Sequence, residues 1–157
     1  MHRTLIHRWH FLRGRAHAVR KLGGADRRLL LGALRTEVGV RLLLWAVPSR
    51  VLLRHVARRV EGVGELPGIS DDPRRVGRAV QLASRVVPGS TCLTRALTTQ
   101  LILARMGRRS LLRIGVTRGE EGSFEAHAWV EAGGHVVVGR KEHARFVPLP
   151  DLGPVLR

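Results

Sequence analysis

The spacing of the apolar residues changes once along this chain, near residue 110. Before that point apolar side chains recur every three or four residues, which is the spacing of helices that bury one face. After it they alternate with polar side chains, as over residues 124–131 (FEAHAWVE), and this alternation is typical of strands. Helices followed by a small antiparallel sheet define an α+β fold, which is the class that we predict.

Four helices are predicted before the change of spacing. They begin at Asp26, Ser49, Asp72 and Cys92, and they end at Pro48, the turn-rich stretch 61–70, Pro88-Gly89 and Gly107. Pro and Gly interrupt helices, whereas Asp and Ser cap their first turns. The expected apolar stripes are Leu30, Leu34, Val38, Leu42 and Trp45 in the first helix, Val51, Leu52, Val56 and Val60 in the second, Val76, Val80, Ala83 and Val87 in the third, and Leu93, Leu97, Leu101 and Ala104 in the fourth.

Three strands and a short fourth are predicted after the helices, at 110–117, 124–131, 135–139 and 146–149. Ala132-Gly133-Gly134 supplies a hairpin turn between the second and the third. Within 124–131 the alternation places His127, Trp129 and Glu131 on one face and Ala128 on the other.

Positive charge is concentrated in the N-terminal part of the chain. The net charge is +16, and residues 1–60 hold 14 Lys or Arg against two acids, a balance of +12. Such a surface attracts nucleic acid, an anionic membrane or an acidic peptide, while Arg on solvated helix faces explains it equally well. We divide the chain into a basic arm (1–24), a helical subdomain (25–70) and a core domain (71–157).

The single cysteine and the interrupted apolar runs indicate the compartment. One cysteine cannot form an intramolecular disulfide, which fits a reducing environment. Residues 29–47 are the most apolar stretch, but Arg35, Glu37 and Arg41 fall inside it and disfavour a membrane span. The N-terminal residues lack the pattern of a signal peptide. We therefore expect a cytoplasmic protein.

Cys92 is the first candidate for chemistry because it stands where a helix begins. The unpaired amides and the positive end of the helix dipole favour a thiolate at that position. The small residues Gly89, Ser90 and Thr91 lead up to it and leave the sulfur accessible. The same amides are suited to binding a tetrahedral oxyanion. The alternative is a buried structural thiol, which is common for free cysteines.

His127 is the second candidate, since a strand can hold an imidazole rigidly beside the start of a helix. Its neighbours Ala126 and Ala128 are small, and Trp129 shares its face and can shield it from water. A helix that supplies a thiol and a sheet that supplies an imidazole form a nucleophile–base pair. A histidine that merely fills a place in a strand is the alternative.

Five segments together resemble a known family. They are STCLTRAL (90–97), LLRIGV (111–116), AHAWVE (126–131), HVVVG (135–139) and FVPL (146–149). Their order is that of the transglutaminase-like core, and in detail they resemble the leader peptidases of lasso-peptide biosynthesis, the B proteins in their stand-alone protease form. In that family Cys92 matches the nucleophile and His127 matches the base.

The resemblance implies a cysteine protease that removes the leader from a lasso-peptide precursor before an ATP-dependent cyclase closes the ring. It also implies a small, separate leader-binding protein that presents the precursor. No nucleic-acid motif, nucleotide-binding loop or closed set of metal ligands accompanies these segments, so we expect no nucleic-acid partner, cofactor or metal. Peripheral contact with a membrane stays open.

The sequence departs from the family pattern at the third catalytic position. The family carries an Asp at the end of the strand that follows the histidine, and Gly139 stands there in this chain. Glu131, Glu142, Gln100 or a backbone carbonyl are the alternatives for orienting the imidazole. A thiolate–imidazolium pair depends less on a third group than a serine system does.

Three other functions compete with the peptidase. An acyl or amide transferase uses the same pair but replaces water with an amine. A nucleic-acid- or membrane-surface-binding protein uses the basic residues and leaves the cysteine idle. A scaffold without catalysis is consistent with the missing acid at Gly139.

Overall fold

The computed structural model describes residues 23–63, 72–119, 122–140 and 143–150. Four helices come first: α1 (Gly24–Ala46), α2 (Ser49–Glu61), α3 (Pro73–Ser84) and α4 (Cys92–Arg105). The strands β1 (Leu111–Arg118), β2 (Phe124–Ala132), β3 (His135–Val138) and β4 (Val147–Pro148) follow, with a short 3-10 helix (His143–Arg145) before β4. The α+β class is therefore confirmed. The expectations for residues 1–22 and for 64–70 lie outside the described residues, and the proposed domain boundaries stay predictions.

The four strands form one antiparallel sheet in the order β3-β2-β1-β4. Gly115 of β1 lies opposite His127 of β2. The predicted turn between β2 and β3 is made by Gly133 and Gly134, whose φ angles are 57° and 74°. Positive φ at both central residues is what a tight two-residue hairpin needs.

The helices cover one face of the sheet. α4 packs on β2, α3 packs on β3, and α1 contacts both α3 and α4. The main core cluster joins these layers through Val80 of α3, Ala96 and Leu103 of α4, and Ala128 and Val130 of β2. A second cluster packs α2 against α1 and α4.

The middle of β2 is buried on both faces, which the simple alternation did not predict. All four residues from His127 to Val130 are buried. The 3-10 helix packs on β2, and Phe146, the residue after that helix, lies against His127. The second face of β2 is therefore covered by the segment that leads to β4.

The start and the buried face of α1 differ from the prediction. The cap residue is Gly23 rather than Asp26, and Asp26 accepts a hydrogen bond from Arg75 Nη2 at 2.7 Å instead. The predicted stripe is wrong at Val38, Leu42 and Trp45, which are 41%, 59% and 82% exposed. The buried residues of α1 are Ala33, Thr36, Glu37 and Val40. Because α3 and α4 both contact α1, its covered face carries small or hydrogen-bonding side chains rather than its largest apolar ones.

The other helix signals were mostly correct. Asp72 caps α3 by accepting the N–H of Arg74 at 2.9 Å, and Pro73 is the first residue of that helix. Pro48 rather than Ser49 caps α2, and Val51 is 50% exposed. Within the described part of the chain, no helix is both long and apolar enough to cross a bilayer.

Candidate active site

Cys92 is the first residue of α4, as the sequence predicted. Thr91 caps the helix: its Oγ1 accepts the N–H of Thr94 at 3.2 Å, and Thr94 Oγ1 accepts the N–H of Thr91 at 3.4 Å. This reciprocal cap leaves the N–H groups of Cys92 and Leu93 without an acceptor inside the helix. The thiol is half-buried and packs against the main core cluster. The unpaired N–H groups of Cys92 and Leu93 and the partly exposed sulfur of Cys92 therefore lie at the same helix end.

The linker before Cys92 is a tight turn. Ser90 N–H donates to the carbonyl of Val87 at 3.3 Å, and Gly89 has a φ of +68°. Pro88 followed by a glycine is a common sequence for such a turn. Residues with a side chain rarely adopt the positive φ that the second position requires. α3 ends earlier, at Ser84, than the predicted break at Pro88-Gly89, and this turn sets the direction in which α4 begins.

His127 lies in the middle of β2, and only 5% of it is exposed. Its ring stacks with Phe146 at a centroid distance of 5.1 Å and with Trp129 at 6.2 Å. Trp129 is itself 2% exposed, and its Nε1–H donates to Glu131 Oε1 at 2.8 Å. The aromatic wall that the sequence predicted beside His127 is therefore present, with Phe146 as an additional member.

Gly115 makes room for this wall. A Cβ atom at Gly115 would lie 2.9 Å from the Trp129 ring and 2.9 Å from Phe146 Cβ. Since Gly115 pairs with His127 across the β1–β2 ladder, no side chain separates the imidazole from these aromatic neighbours on that side. A glycine inside a strand pattern is the sequence signal of such a close approach.

The carbonyl of Gly139 contacts the imidazole of His127. His127 Nε2 lies 3.2 Å from Gly139 O. A carbonyl oxygen only accepts hydrogen bonds, so this contact places the proton of the neutral ring on Nε2 and the basic lone pair on Nδ1. A backbone acceptor thus occupies the position in which the family resemblance led us to expect an aspartate.

Gly139 itself has no space for that aspartate. Its φ is +84°, and a Cβ would lie 2.6 Å from Trp129 Cβ and 3.1 Å from His127 Nε2. Positive φ and a backbone this close to its neighbours both favour glycine. The local packing therefore accommodates glycine at position 139 and leaves no room for the aspartate of the family pattern.

The other candidates for the third group are engaged elsewhere or lie outside the description. Glu131 binds Trp129 and lies 3.7 Å from Arg113 Nε. Gln100 Nε2 donates to Ser110 O at 3.5 Å, near the far end of α4. Glu142 lies outside the described residues. Among the described alternatives, the backbone carbonyl of Gly139 contacts the imidazole, at 3.2 Å.

Cys92 and His127 belong to elements that pack on each other, but α4 and the His127 ring lie on opposite faces of β2. α4 contacts β2 on the face of Ala128 and Val130, and strand alternation puts the imidazole on the other face. β3 pairs only with residues 130–132 of β2, so no β3 residue pairs with His127 at its level in the sheet. The imidazole therefore lies next to the point where β3 ends and the chain turns at Gly139.

A buried carboxylate near the Cys92 linker is the main feature that sequence reasoning missed. Glu37 of α1 is 0% exposed, and its Oε1 accepts the hydroxyl of Ser90 at 2.5 Å. Burial raises the pKa of the Glu37 carboxyl, while the Ser90 hydrogen bond and the positive charge of Arg95 act in the opposite direction. A single acid between apolar residues of α1 was the available signal, and we read it only as an argument against a membrane span.

A cavity of about 590 Å³ lies away from these residues. Its lining includes Val60, Arg109, Leu111 and Glu131. Leu111 pairs with Glu131, four residues along β2 from His127, which corresponds to roughly 13 Å by strand rise. This cavity is separate from the candidate active site. Within the described ranges, no three His, Cys, Asp or Glu residues are grouped in a way that could hold a metal ion.

The comparison with protein families agrees with this architecture. The model of the Transglutaminase-like superfamily matches residues 34–151, about three quarters of the chain. The protein therefore belongs to the Transglutaminase-like superfamily, which includes cysteine peptidases and transferases. Searches among curated proteins and among solved structures gave no significant match.

Proposed function

We propose that this protein is a cysteine peptidase that removes the leader from a lasso-peptide precursor in the cytoplasm, with Cys92 as nucleophile and His127 as general base. The observation that carries the proposal is the buried imidazole of His127, whose Nε2 contacts the Gly139 carbonyl. This contact and the stacking on Phe146 and Trp129 hold the ring in one orientation, as a general base requires. The superfamily and the helix-start cysteine supply the rest of the argument.

The chemistry begins with proton transfer from Cys92 Sγ to the His127 imidazole. The thiolate attacks the carbonyl carbon at the leader–core junction, and the N–H groups of Cys92 and Leu93 bind the oxyanion. The imidazolium then gives its proton to the leaving amine as the C–N bond breaks, which leaves a thioester on Cys92. Water, deprotonated by His127, attacks the thioester and releases the leader acid.

The pair has to meet at one place for this mechanism to operate. Because α4 packs on the face of β2 opposite the imidazole, the proposal requires Sγ to reach the His127 ring around the edge of β2 that β3 leaves unpaired. A direct measurement is the pH profile of Cys92 alkylation in the wild type and in His127→Ala. A profile that changes in His127→Ala but not in His135→Ala, on the exposed β2–β3 hairpin, supports the pair.

Cleavage itself is tested with the precursor peptide and the leader-binding protein from the same gene neighbourhood. Mass spectrometry should show one cut at the leader–core junction with the wild type and with His135→Ala, and none with Cys92→Ala or His127→Ala. An intact precursor in every reaction, despite partner binding, would favour the scaffold function. A product that carries an added amine instead of a new carboxyl would identify a transferase.

The partners follow from the same proposal. The precursor is the substrate, the leader-binding protein presents it, and the ATP-dependent cyclase uses the amine that cleavage releases. In α1 and α2, eight arginines stand against three acids, of which Glu37 is buried and Asp26 binds Arg75. The surface of these helices is therefore basic, and on α1 it also exposes Leu42 and Trp45. We propose that the leader-binding protein docks on α1 through an apolar patch with an acidic rim.

A further inference from the structure

Helix α1 supports the linker that leads to Cys92. Glu37 accepts the hydroxyl of Ser90, and Ser90 lies two residues before Cys92. Glu37 is fully buried, whereas Ser90 is only partly buried. The hydrogen bond thus connects the interior of the helical layer to the turn from which α4 begins.

The same helix contacts the preceding residue of the linker. Arg41 follows Glu37 by one helical turn, and its guanidinium lies against Gly89: a Cβ at Gly89 would come within 2.8 Å of Arg41 Nη2. Gly89 also has a positive φ of 68°. Two consecutive linker residues therefore lie against two residues of α1, one of them through a hydrogen bond, and neither contact involves the sheet.

The burial of polar atoms of Glu37 and Arg41 lowers the stability of the fold. Glu37 Oε2 and Arg41 Nε are buried and have no hydrogen-bond partner among the described residues. A buried carboxylate with one oxygen unsatisfied destabilises a fold unless something compensates for it. An apolar side chain at position 37 would avoid this cost but would leave the Ser90 hydroxyl without its acceptor.

We propose that Glu37 is a positioning residue for the nucleophile: through Ser90 it fixes the start of α4, and with it Cys92 Sγ and the amides of Cys92 and Leu93. The inference rests on the proposed role of Cys92 and adds a residue that the sequence did not assign to the site. Glu37 touches neither the substrate nor the reacting atoms. It acts by holding Ser90, and so the start of α4, in one position.

The test separates the acceptor function of Glu37 from its volume. Glu37→Gln keeps an oxygen acceptor of the same length, while Glu37→Met fills the space without one. Ser90→Ala removes the donor from the linker side. Thr98→Val is the matched control, because Thr98 is an equally buried polar residue located almost two turns further along α4.

Two readouts are measured on the folded, full-length proteins. The first is the rate of Cys92 alkylation by iodoacetamide, which mass spectrometry reports without ambiguity because Cys92 is the sole cysteine. The second is kcat and KM for the precursor presented by its partner. In Glu37→Met and Ser90→Ala we expect kcat and the alkylation rate to fall about tenfold with little change in KM, since small displacements of a nucleophile have large kinetic effects. Glu37→Gln and Thr98→Val should stay within about twofold of the wild type.

Equal alkylation rates in Glu37→Gln and Glu37→Met would overturn the positioning role, and so would an unchanged rate in Ser90→Ala. If Glu37→Met does not fold, Ser90→Ala is compared with Ser90→Thr, which keeps a hydroxyl donor for Glu37, and equal alkylation rates in these two variants would overturn the role. If the wild type cuts no precursor while the alkylation rates still follow the expected order, the positioning role stands and the peptidase function fails.

Discussion

At the scale of single residues, the contact between His127 and Gly139 bears on the proposed role of His127 as a base. A carboxylate would stabilise the imidazolium by its charge, whereas the Gly139 carbonyl offers only a dipole. The carbonyl nevertheless fixes the tautomer, which is the part of the third group's function that a thiol-based pair needs most. The site therefore keeps the orientation of the ring and gives up part of the electrostatic support.

Replacing Gly139 by Asp should fail to improve the site. A side chain there meets Trp129 Cβ at 2.6 Å and needs a positive φ, and these two effects together cost roughly 2–4 kcal/mol of unfolding free energy. We expect Gly139→Asp to cleave more slowly than the wild type and to unfold at lower urea. Gly139→Ala is the control for the steric part. An Asp variant that is more active than both would show that the backbone relaxes and that the missing acid was limiting.

The buried carboxyl of Glu37 predicts a pH dependence of stability. Its folded pKa is raised above the ordinary value of 4.5, so between these two pKa values the native state binds more protons than the unfolded state. Stability from this group is thus full below pH 4.5 and declines as pH rises through the folded pKa. The charged group that acts on it is Arg95 of α4, whose positive charge lowers the pKa.

Glu37→Gln removes this titration. Urea unfolding at several pH values should show the wild type losing stability relative to Glu37→Gln as pH rises through that window. Ser90→Ala, which keeps the carboxyl, should retain the wild-type trend. Parallel curves for the wild type and Glu37→Gln at every pH would mean that the carboxyl titrates alike in the folded and unfolded states.

At the scale of elements, local signals determined where helices and strands begin and end better than which face they bury. Pro73 and Gly107 mark boundaries because of their own backbone restrictions, and those boundaries were correct. The prediction of the buried face of α1 was wrong because the spacing of apolar residues does not show which side of a helix its neighbours cover. The contact of Glu37 with Ser90 is 53 residues apart in sequence, so local reasoning had no access to it. The positions of Cys92 at a helix start and of His127 in a strand were predicted correctly because both are local properties.

The caps of α3 and α4 provide a comparison between stability and site geometry. Asp72→Ala and Thr91→Ala each remove a helix cap and should each cost about 1 kcal/mol of unfolding free energy. Thr91 is directly next to Cys92 and Asp72 is not, so only Thr91→Ala should also lower the rate of Cys92 alkylation. Thr91→Ser, which can still accept the Thr94 N–H, should restore it. An equal drop in Asp72→Ala would mean that the alkylation rate follows overall stability instead.

At the scale of the whole molecule, positive charge and exposed apolar side chains occur together on α1 and α2. Trp45 is 82% exposed on α1, and the neighbouring helix α2 carries exposed arginines, among them Arg50 and Arg54. A large exposed aromatic residue beside cationic groups is typical of a surface that binds a partner. The proposed active-site residues lie on α4 and β2, so the proposed docking surface and the proposed chemistry belong to different parts of the fold.

Docking and catalysis should therefore be separable by mutation. Trp45→Ser is expected to weaken binding of the leader-binding protein about tenfold, because buried Trp side chains dominate interface energies. Arg50→Glu with Arg54→Glu should weaken it mainly at low salt, where charge attraction is least screened. Leu111→Ser, which alters an exposed apolar residue on β1, should bind like the wild type, and all of these variants should keep the wild-type rate of Cys92 alkylation. Unchanged partner binding in Trp45→Ser, together with reduced binding to anionic vesicles or DNA, would instead assign this surface to a membrane or to nucleic acid.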